Sequence, residues 1–164
     1  MNVLGIDIGG SGVKGAIVDI KSGELLSEKI RFPTPNKPTP KKIFDGIKSN
    51  ILDELKWDGN VGCGFPGVVK KNKIYSAANI EKKWIGLNLK KKFHKKFNLR
   101  CKAINDADAA GLSEIALNPN VLNRGTVLVI TVGTGLGTSM FIDGKLIPNF
   151  ELGHLKMYGD CAEK

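Results

Sequence analysis

One construction occurs twice in this chain and restricts its fold more than any other feature. Residues 3–12 read VLGIDIGGSG, and residues 127–137 read VLVITVGTGLG. In each, an apolar, β-branched run meets glycines and hydroxyl residues, then continues into a second apolar strand, a turn and a Leu-Leu or Leu-Ile pair. Two copies of strand, glycine loop and strand predict two lobes of related topology. Glycine makes up 20 of 164 residues, well above the usual share of about 7%. Four glycines fall in residues 9–15 and three in 133–137, without the G-X-Y period of collagen.

What such loops do follows from the missing Cβ. Glycines let backbone N–H groups converge on an anion at close range, and Ser11 and Thr134 add hydroxyl donors. The first copy also carries Asp7, able to hold Mg²⁺ directly or through water, and Lys14 as a point charge. A lone glycine turn is ordinary hairpin chemistry. Two copies, one flanked by Asp and Lys, point to a grip on phosphates. Neither is a GxxxxGK[ST] P-loop, and GGSGVKG departs from G-x-G-x-x-G and leads into a strand rather than a helix.

Between the copies, ELLSEKIRF (24–32) continues the first hairpin as a meander, and the four prolines of FPTPNKPTP (32–40) impose a loop. Thr39 is placed to cap a helix with Pro40 at its first position. Ile43, Phe44, Ile47, Ile51, Leu52 and Leu55 then recur at helical spacing. VGCGFPGVV (61–69) reads as a strand broken at Pro66-Gly67, 76–86 as a loop and 87–97 as a short basic helix. CKAIN (101–105) reads as a buried strand and DADAAGLSEIAL (106–117) as a helix that opens on an acid. TSMFID (138–143), the Asp143-Gly144 turn and KLIP (145–148) complete the second hairpin.

The formal charge of +9 is local: between Lys70 and Lys102 there are 12 Lys/Arg and one acid, Glu81. A basic stretch on a near-neutral body indicates a local anionic partner or a solvated helix face, not general nucleic-acid binding. Cys63, Cys101 and Cys161 are odd in number and lack C-x-x-C spacing, so they form neither a disulfide framework nor a zinc site. A strand begins almost at Met1, with no leader before it and no apolar run of membrane-spanning length, so a cytoplasmic location is expected.

Two constellations carry the remaining chemistry. NDADAA (105–110) sets Asn105 and Asp106 at a strand-to-helix junction. There Asp106 is either a helix cap or a base that accepts the proton of an attacking hydroxyl, with Asp108 a weaker candidate for that base. ELGH (151–154) puts Glu151 and His154 around a glycine turn, where both can bond vicinal hydroxyls, as can Asn79 and Asn105. Gly67, in FPG, either lets backbone approach a ligand or merely turns a strand.

DIGGSGVKG (7–15), GFPGVV (64–69), NDADAA (105–110), TVGTGLGTS (131–139) and ELGH (151–154) stand in the order and spacing of the ROK-family sugar kinases, and the chain resembles that family along essentially its whole length. Within the family it most resembles the polyphosphate glucokinases, through AANIEKKWIGLNL (77–89) and through Gly159 to Glu163, which matches their GxxAE-type sequence. The resemblance implies an α/β, actin-like (ribonuclease H-like), two-lobed fold. Residues 1–104 would form the N-terminal lobe with the first phosphate loop, and 105–164 the beginning of a C-terminal lobe left incomplete.

It also implies a glucokinase that transfers a phosphoryl group from polyphosphate, ATP or both to the 6-hydroxyl of glucose, with Asp106 as general base. Gly67, Asn79, Asn105, Asp106, Glu151 and His154 would hold the sugar. Asp7, Gly9, Gly10, Ser11, Gly12 and Lys14 would form the first phosphate loop, and Thr131, Gly133, Thr134, Gly135 and Gly137 the second. Mg²⁺ would sit at Asp7, and no zinc is expected, because a lone Cys161 stands where many relatives carry a cysteine-rich motif. Full-length relatives are expected to be homodimers, with no nucleic-acid or membrane partner. Relatives continue beyond ELGH, which leaves two alternatives to a self-sufficient enzyme: an inactive sugar- or phosphate-binding remnant, or one half of a split kinase completed by a second polypeptide.

Overall fold

The computed structural model describes residues 1–77, 80–118, 124–132, 135–157 and 160–161 of the chain. They fall into two units, Met1–Ile104 and Asn105–Lys164.

The first unit is built on a five-stranded sheet of order β3-β2-β1-β4-β7. Strands β1 (Asn2–Ile8), β2 (Gly12–Asp19) and β3 (Ile30–Pro33) form an antiparallel meander, and β4 (Val61–Phe65) joins β1 in parallel. Strand β7 (Cys101–Asn105) lies outside β4. Alternation sets the core face: Leu4, Ile6 and Ile8 on β1 and Val61, Cys63 and Phe65 on β4 are buried. The expected strand over 24–32 shrinks to Ile30–Pro33. Two successive residues of that run serve one partner: the Leu26 N–H donates to the Ile17 carbonyl at 2.8 Å, while the Ser27 hydroxyl accepts the Ile17 N–H at 2.9 Å. A side-chain bond replaces a ladder bond, and pairing lapses there.

Helix α1 (Pro40–Ile47) starts as its sequence requires, with Thr39 accepting from the Lys42 N–H and Pro40 in the first turn. It then widens into a π-turn, Lys48–Leu52, and ends with α2 (Asp53–Leu55) and a left-handed Lys56. Ser49 and Asn50 explain the widening. Their side chains donate to the Asp45 and Gly46 carbonyls, four residues back, at 3.2 and 2.9 Å, in competition with the backbone. The wider turn keeps Ile51 and Leu52 in the core behind Ile43, Phe44 and Ile47.

Strands β5 (Val69–Lys70) and β6 (Lys73–Ile74) form a small hairpin, and a 3₁₀ turn at Lys82–Trp84 buries Trp84 within the expected loop. The Trp84 indole donates to the Pro38 carbonyl at 2.7 Å. Its ring packs on Phe65 and Phe44, which in turn meets Phe93 of helix α3 (Leu89–Phe97) at 5.0 Å between centroids. Cys63 and Cys101 are buried free thiols; burial pushes both up, Cys101 to about 12, so they pack as small apolar groups.

In the second unit, helix α4 (Asp106–Leu117) packs on a three-stranded antiparallel sheet of order β10-β9-β8, with β8 Thr126–Val132, β9 Leu136–Ile142 and β10 Lys145–Ile147. The sequence repeat is thus a repeat of topology, a meander on each occasion. The small residue at position 111 permits the close approach of α4 to β9: a Cβ on Gly111 would collide with the Ser139 hydroxyl and stand 2.9 Å from the Phe141 ring. A 3₁₀ turn (Leu152–His154) and two short strands, β11 (Lys156–Met157) and β12 (Asp160–Cys161), follow. No helix among the described residues is long and apolar enough to cross a membrane.

Candidate active site

The second unit holds a hydrogen-bonded carboxylate–amide cluster at the start of α4. Asn105 caps the helix: its side-chain carbonyl accepts the Asp108 N–H at 2.8 Å. The cap is therefore Asn105, not Asp106, which stands at the first helical position. The fully buried Asn105 amide donates to Glu151 Oε1 at 2.6 Å and to Asp106 Oδ1 at 3.2 Å. Asp106 Oδ1 also accepts the Ala107 N–H at 2.9 Å. One amide thereby ties together two carboxylates that lie 45 residues apart in the chain (106 and 151). Both carboxylate side chains are partly exposed, as a site that meets a polar ligand requires.

Two buried side chains hold Glu151 in position, and sequence reading gave neither that duty. Thr138 donates to the Phe150 carbonyl at 2.7 Å and accepts the Leu152 N–H at 2.8 Å, clasping the backbone on both sides of Glu151. Asp108 Oδ2 accepts the N–H of Asn149, a left-handed residue, at 2.8 Å. Asp108 Oδ1 is buried with no hydrogen-bond partner among the described residues. Burial and the nearby Glu151 carboxylate raise Asp108 above the usual carboxylate range, against the Asn149 N–H. The helical spacing from Asn105 to Asp108 was the available signal; the pairing with residue 149 was not in the pattern.

In the first unit, β1 delivers Asp7 to the glycine loop, where it pairs across the hairpin with Lys14, Nζ to Oδ2 at 3.5 Å. The loop closes on itself through Gly9 N–H to the Gly12 carbonyl at 3.0 Å. Gly10 and Ser11 are exposed at its tip. Thr34 supports it from the side, its hydroxyl donating to the Gly9 carbonyl at 2.6 Å. Among the described residues no cluster of three or more His, Cys, Asp or Glu could hold a metal. A single half-exposed carboxylate suits an ion that takes most of its oxygens from phosphate and water, which is how Mg²⁺ is usually bound.

Of the second loop, Thr131 and Gly137 face each other across β8 and β9, and Gly135 is exposed. Gly133 and Thr134 lie outside the described residues, as does Asn79. Gly67 packs against the Ser76 backbone, which leaves no room for a Cβ. The backbone of His154 ends the 3₁₀ turn that follows Glu151.

The basic stretch has its own arrangement. Strand β1 runs toward the glycine loop and β4 is parallel to it, with Val61 opposite Leu4, so Lys56 and Trp57 lie at the far end of the sheet from the loop. A shallow groove of about 630 Å³ at that end is lined by Lys48, Lys56, Trp57, His94, Lys95 and Phe97, among others. Within α3, Phe93 is buried and Phe97 packs on the core while Lys90, Lys91 and Lys95 are exposed. The lysines face solvent, and the two aromatics anchor the helix.

Comparison with known proteins gives this geometry a family. Residues 3–162 match the ROK family. The chain belongs to the ROK family. It is 40% identical over 162 residues to the polyphosphate glucokinase of Mycobacterium tuberculosis, covering 98% of this chain and 61% of that protein. The glucokinase of Streptomyces coelicolor is 34% identical over 96% of this chain and 50% of its own length. Among solved structures, the inorganic polyphosphate/ATP-glucomannokinase of Arthrobacter sp. strain KM superposes with a TM-score of 0.90 at 42% identity, over 99% of this chain and 66% of that one. The ROK family glucokinase of Streptomyces griseus, solved with glucose and AMPPNP, gives 0.83 at 30% identity, over 99% and 54%. The fold is the actin-like α/β fold of the ROK sugar kinases. The chain spans about 61% of the Mycobacterium relative's length.

Proposed function

We propose that this chain carries the phosphate-binding and sugar-binding machinery of a glucokinase, in which a phosphoryl group passes from polyphosphate, ATP or both to the 6-hydroxyl of glucose. The Asn105–Asp106–Glu151 cluster is the observation that carries the reading. Asp106 is the general base: partly exposed at the start of α4, it accepts the proton of the attacking 6-hydroxyl. Asn105 and Glu151, each already fixed by the other, bond neighbouring sugar hydroxyls, with Asn79, Gly67 and His154 completing the set. An analogue that lacks a hydroxyl leaves one of these partners unpaired, which is the basis of selectivity. The loop Gly9–Gly12 with Lys14 holds donor phosphates, and Thr131, Gly133, Thr134, Gly135 and Gly137 form the second phosphate loop. Asp7 would hold Mg²⁺, which when bound neutralises charge on the donor's oxygens.

A coupled assay for glucose 6-phosphate with each donor tests this. Asp106→Asn is expected to keep glucose binding and to lose transfer by about 10²–10⁴-fold. A folded wild-type chain that yields no product with either donor would sink stand-alone activity. One observation favours a second reading: the strand β8 presents Leu128, Ile130 and Val132 exposed, the last at 82%, on a sheet edge with no partner strand among the described residues. A chain that binds glucose without turnover and gains activity only with a complementing polypeptide would fit that face. Glucose-induced thermal stabilisation, unchanged by Asp106→Asn and without product, separates the two readings. The homodimer expected of full-length relatives and the cytoplasmic location stand with these proposals, to be read by sedimentation and by fractionation.

A further inference from the structure

The glycine loop of the first unit has a charged neighbour outside its own motif. Asp7 pairs with Lys14 and Lys14 with Arg31 across β1, β2 and β3, so one row on a single face of the sheet reads carboxylate, ammonium, guanidinium. The Arg31 side chain leans toward the loop. A Cβ built on Gly12 would stand 2.8 Å from Arg31 Nε and 3.1 Å from Cζ, so the bare backbone at residue 12 is what lets the guanidinium lie there. Nη2 donates to the Ser11 carbonyl at 3.5 Å, next to the bond that Thr34 makes to Gly9.

We propose that Arg31 is a donor-binding residue which extends the phosphate grip of the glycine loop along a linear polyphosphate and so favours that donor over a nucleotide. This rests on the kinase reading above. Lys14 shares its charge with Asp7 at 3.5 Å, whereas Arg31 is exposed and makes no salt bridge among the described residues. Its guanidinium has five N–H donors, and one long bond to Ser11 leaves the others open to solvent. That fork matches phosphate oxygens in pairs. Strand β3 is the edge of the sheet, so nothing in the sheet closes off the row beyond Arg31. A nucleoside triphosphate ends in a sugar and a base after three phosphates. Polyphosphate continues as an anion, and a guanidinium on the β3 side of the loop, toward the sheet edge, gains contacts with the part of a longer donor that runs on past the loop.

Calorimetric titration of the wild-type chain, Arg31→Ala and Arg31→Lys with long-chain inorganic polyphosphate and with ATP–Mg²⁺ tests this. Arg31→Ala should weaken polyphosphate binding about tenfold and flatten the slope of log affinity against log salt by about 0.7–0.9, while ATP affinity stays within about twofold. Arg31→Lys should restore the slope but not the full affinity, because an ammonium cannot bond in pairs. Equal losses for both donors would make Arg31 a mere prop for the loop and overturn the proposal, as would no loss at all. A wild-type chain that binds neither donor overturns the kinase reading itself, and that result is visible before any variant is made.

Discussion

Gly111 offers the sharpest test of how the second unit is assembled, because the residue opposite decides the sign of its substitution. An alanine gains about 1 kcal/mol over glycine in a helix interior. Here its Cβ would run into the Ser139 hydroxyl, stand 3.0 Å from Ser139 Cβ and 2.9 Å from the Phe141 ring, all on buried groups. Overpacking of that kind costs about 1–3 kcal/mol, so Gly111→Ala should destabilise the unit by about 1 kcal/mol net. In a Ser139→Gly background two of the three collisions are gone, and the same change should stabilise. The cycle therefore predicts a coupling of about 1–2 kcal/mol between the two positions. Both tryptophans, Trp57 and Trp84, belong to the first unit, so their fluorescence would report on the wrong half. Hydrogen exchange of the α4 amides, converted to local opening free energies, reads the right one. If Gly111→Ala has the same effect in both backgrounds, the packing of α4 on β9 is not as described.

Three further outcomes are expected. Thr138→Val removes both bonds that clasp Glu151 and should lower local stability by about 1–3 kcal/mol and weaken glucose binding, with Thr138→Ser restoring both; an unaltered titration would refute the clasp. Asp108 has its folded-state titration raised above 3.8 by burial and by Glu151, so it favours the folded state below 3.8 and loses that contribution as pH rises through the raised value. The melting temperature of Asp108→Asn relative to wild type should accordingly climb from pH 4 upward and then level off, and a pH-independent difference would refute the sign. Trp84→Phe deprives the Pro38 carbonyl of its donor and should cost about 1–3 kcal/mol in urea unfolding followed by circular dichroism.

Much of this was legible in the sequence because it rests on local rules. An apolar, β-branched run marked β1, and the segments of β4 and β7 read as strands; Thr39-Pro40 marked the start of α1; the duplicated glycine loops marked two meanders. What escaped was decided by side chains and backbone competing for the same hydrogen-bond partners. Nothing in ELLSEKIRF reveals that Leu26 and Ser27 both serve Ile17, and nothing in KSN reveals that Ser49 and Asn50 take carbonyls from the helix. At the candidate site, motif reading picked out Asn105, Asp106 and Glu151, and the fold adds the amide that joins them. Thr138 and Asp108 escaped as braces because each acts on backbone 12 to 41 positions away. Arg31 escaped because strand register, not spacing, brings it to the loop.

The open edge of β8 bears on how this chain behaves in a tube. Leu128, Ile130 and Val132 protrude from a strand whose outer N–H and C=O groups have no partner strand among the described residues, which makes it a template for another strand. Self-association then competes with whatever else covers that edge. Apparent affinities and yields will depend on protein concentration, and dilution, rather than more enzyme, will be the way to a clean signal.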